Sequence, residues 1–155
     1  MDDKLPFDQQ AAHRHFVMNC FNKAWEPIEK LNHSEEDDRQ MVRLTHASHW
    51  HWAQISDHTP TNISIAYWQA ARIYALRGET KNARRSAEPC HQVSQNEGVE
   101  PFFQGYSYEA MARAASIAGD REATETNCAE AARIAKSVGD KDSRKQLQED
   151  LKTIA

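Results

Sequence analysis

Between Tyr67 and Gly78 the chain reads YWQAARIYALRG, and its apolar positions Tyr67, Ala70, Ala71 and Tyr74 fall at i, i+3, i+4 and i+7. That spacing places them on one face of a helix, and Gly78 is the residue type that most easily takes the left-handed conformation closing it. Forty-one residues later Tyr108, Met111, Ala112 and Ala115 repeat the stripe and Gly119 repeats the stop. Four glycines fall at 78, 98, 119 and 139, at intervals of 20, 21 and 20 residues. The stretches around them are predicted as helices over 60–77, 79–96, 101–118, 120–138 and 140–154. The last is highly charged and has a sparse apolar stripe, Leu147, Leu151 and Ile154, which suits a solvent-facing cap over the end of a helical stack.

Upstream, residues 8–31 carry Val17, Phe21, Ala24, Ile28 and Leu31 at helical spacing. Pro27 removes a backbone donor and crowds the preceding turn, so a kink near Lys23 or a restart at Pro27 is expected. Ser34 and Asp37 form a capping-box pair, and the acidic run from Glu35 to Asp38 suits the positive end of a second helix. From Leu44 to Ile55 no residue is formally charged. Its apolar groups Leu44, Ala47, Trp50, Trp52, Ala53 and Ile55 point to every side, which predicts an inner helix covered on most faces. Thr59 and Pro60 make a cap and first-turn pair for the third helix. Val and Ile are sparse, and alternating runs with Asn-Gly or Asp-Gly turns are absent, so no strand competes. The expectation is one all-α domain, 1–155, of about seven helices. It comprises an N-terminal helix pair (8–57), two repeat units (60–98 and 101–139) and a C-terminal capping helix (140–155).

Laid over each other at an offset of 41, residues 64–98 and 105–139 agree at Tyr67/Tyr108, Ala71/Ala112, Arg72/Arg113, Gly78/Gly119 and Gly98/Gly139. The first copy runs Tyr67-x2-Ala70-Ala71-x2-Tyr74, Gly78, Ala83-x3-Ala87, Cys90. The second runs Tyr108-x2-Met111-Ala112-x2-Ala115, Gly119, Thr124-x3-Cys128, Ala131. This order resembles the tetratricopeptide repeat in a long-repeat variant, with Pro89 inside the fourth helix. The resemblance implies a right-handed array of helical hairpins whose inner helices line a concave, peptide-binding face. Segments THASHWHW and SYEAMARAASIAGD are also similar to stretches of a group of small bacterial proteins of unassigned function.

Composition narrows the function classes. At 155 residues, 39% apolar and 27% charged, the chain is long enough to bury a core without disulfides or a structural metal. No apolar run approaches the eighteen or so residues of a membrane helix, which argues against a membrane partner. A net charge of −4 without a Lys/Arg cluster argues against nucleic acid. Cys20, Cys90 and Cys128 are odd in number and widely spaced, as expected of reduced thiols used as small core residues. The acidic start, MDDKLPFD, lacks a secretory pattern, and the cytoplasm is the expected compartment.

At about 100° per residue, Ile65, Trp68 and Arg72 lie about 140° round the helix from the Tyr67 stripe, so Trp68 is expected to be partly exposed. The matching positions of the second copy are Tyr106, Glu109 and Arg113. A shared surface of Trp68, Arg72, Tyr106, Glu109 and Arg113 has the aromatic-plus-arginine composition of an interaction hot spot. Its two guanidinium forks suit an acidic or carboxylate-terminated protein or peptide. The same residues admit a structural reading, in which Glu109 pairs with Arg72 or Arg113 inside the protein.

Histidine is the other feature above background. His46 and His49 share a helix face at i, i+3, and His13, His15 or Glu26 would have to supply a third metal ligand. Hydrogen-bonded histidines among the tryptophans are the alternative, and no cofactor is expected. Ser48 between His46 and His49 is too local for a catalytic triad, and there is no glycine-rich phosphate loop. The sequence thus points to a non-catalytic binding module. Its alternatives are a helical ligand- or metal-binding domain built on His46, His49, Trp50, Trp52 and Trp68, or a structural homo-oligomer such as a homodimer.

Overall fold

The computed structural model describes residues 6–154. Among them are seven α-helices and no strand: α1 (Gln9–Ile28), α2 (Glu35–Gln54), α3 (Pro60–Leu76), α4 (Thr80–Ser94), α5 (Pro101–Ile117), α6 (Arg121–Ala135) and α7 (Lys141–Leu151). The all-α class follows from the helical spacing of the apolar residues. Between Thr59 and Pro60 the chain divides into two compact units, one holding α1 and α2 and the other α3 to α7.

In the first unit α1 and α2 pack as a hairpin. The helix α1 starts on Asp8, whose side chain accepts from Ala11 N at 3.1 Å. It runs past Lys23 and Pro27 to Ile28 without a restart. Pro27 forgoes the bond its N–H would make to Lys23 O, and the helix ends one residue later. The capping box of α2 forms as expected, with Asp37 N donating to Ser34 Oγ at 3.1 Å and Ser34 N to Asp37 Oδ2 at 2.9 Å. Lys30 also pairs with Asp37, and that hydrogen bond together with those from Ser34 holds its carboxyl at about 2.

The expectation that α2 is covered on most faces fails. Its buried residues are Met41, Thr45 and Ser48, a single stripe at i, i+4 and i+7, while Trp50 is 57% exposed. Two of those three are polar, and Ser48 Oγ donates to Val17 O at 2.9 Å inside the hairpin. The burial of α2 thus follows a narrow stripe that its apolar residues do not mark.

In the second unit α3 pairs with α4 and α5 with α6, and α5 also touches α3, α4 and α7. The two copies close their first helices identically. Glu79 N donates to Tyr74 O at 2.9 Å and Gly78 N to Ala75 O at 3.0 Å; Asp120 N donates to Ala115 O at 3.0 Å and Gly119 N to Ser116 O at 3.0 Å. This pair of hydrogen bonds needs a left-handed residue, and Gly78 and Gly119 supply it with φ of 67° and 74°. Gly139 has no positive φ and simply precedes Asp140, the N-cap of α7. Pro89 lies within α4, which continues to Ser94.

Small residues let these helix axes approach. Ala71, Ala83, Ala87, Ala110 and Ala114 form one buried cluster, with Tyr74 and Met111 packed against it. Between α3 and α4 the contact is polar but closed: Ser64 and Ser94 hydroxyls lie 2.6 Å apart and Cys90 donates to Ser64 O at 3.4 Å. Burial pushes the Cys90 thiol up to about 12, so it serves as a small core residue. The expected stripe of α5 is only part of its buried surface. Tyr108, Met111 and Ala115 are half-buried, whereas Gly105, Tyr106, Ser107, Glu109, Ala110, Ala112 and Ala114 are buried. The helix α5 is enclosed on most of its circumference.

Candidate functional site

On α5, Tyr106, Glu109 and Arg113 stand at i, i+3 and i+7 and so share a face. The helix α3 brings Trp68 and Arg72 to them. Glu109 is fully buried and is the hub of this group. Its Oε2 accepts from Trp68 Nε1 at 2.9 Å, and its Oε1 accepts from Arg72 Nη1 at 3.0 Å and from Arg113 Nε. The Trp68 ring meets Tyr106 edge-on, with centroids 5.2 Å apart. All five residues named from the sequence therefore converge. A buried carboxylate is tolerated because three donors, two of them cationic, surround it.

Their exposure differs from one residue to the next. Trp68 is partly exposed, as the helical wheel predicts, but Tyr106 is 6% exposed and Glu109 is 0% exposed. The cause is α7. Tyr106 OH donates to Asp150 Oδ2 at 2.6 Å, and Arg113 Nη2 donates to Asp150 O at 3.1 Å and to Thr153 Oγ1 at 2.7 Å. Burial, reinforced by the Asp150 carboxylate, raises the Tyr106 phenol and keeps it a donor. Leu147 is fully buried beside Tyr106 and Ala135, with Phe102 and Leu151 at the margin. Gly105 makes that fit: a Cβ there would lie 2.5 Å from Leu147 Cδ2. The expected capping helix thus carries a keyed leucine and a carboxylate into the face of α5.

The attachment is modest in energy. At 11 residues α7 is shorter than the roughly 12–15 needed for a helix to persist alone, so docking is what keeps it helical. Burying one leucine contributes about 1.5–3 kcal/mol. The hydrogen bond from Tyr106 to the Asp150 carboxylate adds about 1.5–3 kcal/mol.

Arg72 remains under-used. Nη1 bonds Glu109, while its buried Nε has no hydrogen-bond partner among the described residues. Burial, and then repulsion from Arg113, lowers its pKa. Beside the two guanidiniums opens a cleft of about 170 Å³, with Leu76, Ile117, Thr153 and Ile154 on its walls. Leu76 at its mouth is 44% exposed.

No protein-family model, curated protein or solved structure matches this chain. The functional reading therefore rests on the residues themselves.

The histidine contacts of the first unit join α1 to α2. Burial, followed by the charge of His46, lowers the His49 pKa. Among the described residues, however, no group of three or more His, Cys, Asp or Glu is placed to hold a metal. The pair that meets is His13 with His51, Nδ1 to Nδ1 at 2.8 Å, one from each helix. Trp50 lies edge-on to both rings at 5.5 and 5.0 Å, and Phe16 stacks on His51 at 5.3 Å. Among the described residues no helix is long and apolar enough to cross a membrane.

Sequence reasoning missed Asp150, Thr153 and Gly105 as parts of the face. One signal was present: a glycine inside a helical pattern, among Phe102, Phe103 and Tyr106, marks a close approach by another element.

Proposed function

We propose that this chain is a non-catalytic, tetratricopeptide-like scaffold that binds a protein or peptide through the α3/α5 face, in the cytoplasm. The observation that carries this reading is the convergence of Trp68, Arg72, Tyr106, Glu109 and Arg113 from equivalent helices of a duplicated hairpin. Matching helix closures at Gly78 and Gly119 support the duplication. Three cysteines without disulfide partners fit a reducing compartment. The Arg72 and Arg113 guanidiniums, beside an apolar wall, favour a ligand with a carboxylate next to an apolar group.

Replacing both arginines is not a clean test, because it would leave Glu109 buried and uncompensated. Leu76→Asp instead places a negative charge at the cleft mouth, on a side chain already 44% exposed. Selection from a random peptide library should enrich one sequence class with the native chain and lose it with Leu76→Asp at unchanged thermal stability. A folded native chain that enriches nothing rules out the binding reading.

A further inference from the structure

The α5 face is already occupied by a helix of known chemistry, and its occupant shows what the face accepts. On α7, Leu147 and Leu151 stand at i and i+4 and Asp150 at i+3, so the three share one side. Leu147 enters the notch left by Gly105, between Tyr106 and Ala135. Asp150 receives the Tyr106 hydroxyl through its side chain and the Arg113 guanidinium through its carbonyl. Each recognition element is on α5 or α6, and each would serve an incoming helix as well as the resident one. The rest of α7 is largely exposed, and among its residues only Leu147 is fully buried. A short helix held by one buried leucine, the Asp150 contacts and the Arg113 bond to Thr153 is the part of such a unit that opens first.

We propose that α7 is an exchangeable occupant of this face, and that the partner is a helix with leucine at i and i+4 and a carboxylate at i+3 that takes its place. The inference rests on the binding reading above and concerns the part of the α5 face that α7 covers, beside the Leu76 cleft. When α7 leaves, Tyr106, Arg113 and the Gly105 notch become available to the partner, with Phe102 and Trp68 at the edge. The resident helix lowers the apparent affinity for the partner by the fraction of time the face is free. Undocking α7 should therefore strengthen capture without any new contact.

The test uses a fluorescein-labelled peptide spanning residues 140–154, titrated with the full chain and followed by anisotropy. Leu147→Asp in the chain removes the resident leucine and should tighten peptide binding at least about tenfold over the native chain. The same peptide carrying Leu147→Asp or Asp150→Ala should lose binding. Adding Gly105→Val to the Leu147→Asp chain should also abolish it, because the notch is filled. No gain with a folded Leu147→Asp chain overturns the proposal, as does binding that ignores the identity of the peptide's leucine and carboxylate. Native-state hydrogen exchange provides a readout that needs no variant: amides of α7 should exchange at least about tenfold faster than those of α5. Equal protection in the two helices also overturns it, since α7 would then leave only on global unfolding. If library selection at the Leu76 cleft succeeds while the α7 peptide fails, the binding reading stands and exchange of α7 falls.

Discussion

Two stretches of equal length behave in opposite ways. Residues 44–55 of α2 and the turn after it contain no formal charge, yet Trp50 is 57% exposed and only Thr45, Ser48 and Ile55 are buried. Residues 102–113 of α5 contain Glu109 and Arg113, yet Gly105, Tyr106, Ser107, Glu109, Ala110 and Ala112 are all buried. The difference lies in what each helix meets. The helix α5 is packed by α3, α4, α6 and α7, and its carboxylate finds Trp68, Arg72 and Arg113. Burial here follows the supply of partners more than the supply of apolar atoms.

The sharpest way to break this comparison is to remove the carboxylate. Glu109→Ala leaves the Trp68 indole and the Arg72 and Arg113 guanidiniums without their shared acceptor in a region where Arg72 and Arg113 side chains are only 19% and 14% exposed. Loss of one member of a buried ionic group costs about 3–5 kcal/mol. The urea midpoint of the variant should fall accordingly. A loss under about 1 kcal/mol would mean that water reaches the site and that α5 is less enclosed than its geometry indicates.

The helices themselves were legible in the sequence, but the contrast in their burial was not. Helix existence and punctuation followed from local chemistry: the Ser34/Asp37 box, Pro60 and Pro101 at helix starts, and the glycines at 78 and 119 each act within a few residues. That Trp68, Arg72, Tyr106, Glu109 and Arg113 come together was legible because the 41-residue offset places equivalent positions on equivalent faces. The burial of Tyr106 was not, because it depends on Leu147 and Asp150, which lie about forty residues away and follow no repeat rule. The same limit hid the His13/His51 contact, made between residues 38 positions apart, while the i, i+3 rule pointed to His46 and His49. Tyr67 and Tyr108 mark the repeat, yet both are only half-buried, since the pattern identifies a face without saying how deep it lies.

A smaller effect sharpens the comparison from the α2 side. Since α2 has a narrow buried stripe, its N-terminal cap should matter measurably to the first unit. Ser34→Ala removes the acceptor for Asp37 N and should cost about 1 kcal/mol. Asp37 adds a pH dependence whose sign is fixed by its lowered pKa. Its carboxyl titrates near 2 in the folded chain against an ordinary 3.8, because Lys30 and Ser34 bond the charged form. The stabilisation is complete above about pH 4 and is lost as pH falls through about 2. Asp37→Asn should flatten that acid limb in thermal melts taken from pH 5 to pH 2. An unchanged acid limb would place the titrating carboxylate elsewhere.

The smallest expected effect tests the exposed side directly. Trp50 touches the rings of His13 and His51 edge-on, but more than half of it faces solvent. Substitutions at such positions usually change stability by no more than about 0.5 kcal/mol in either direction. Trp50→Ser should therefore leave the thermal midpoint close to native while removing the most exposed ring of the cluster. A loss above about 1.5 kcal/mol would instead make Trp50 part of a packed core, because only a well-covered indole yields that much on truncation. The contrast between α2 and α5 would then vanish: both helices would owe their place to extensive coverage, and the uncharged run from Leu44 to Ile55 would have signalled burial after all.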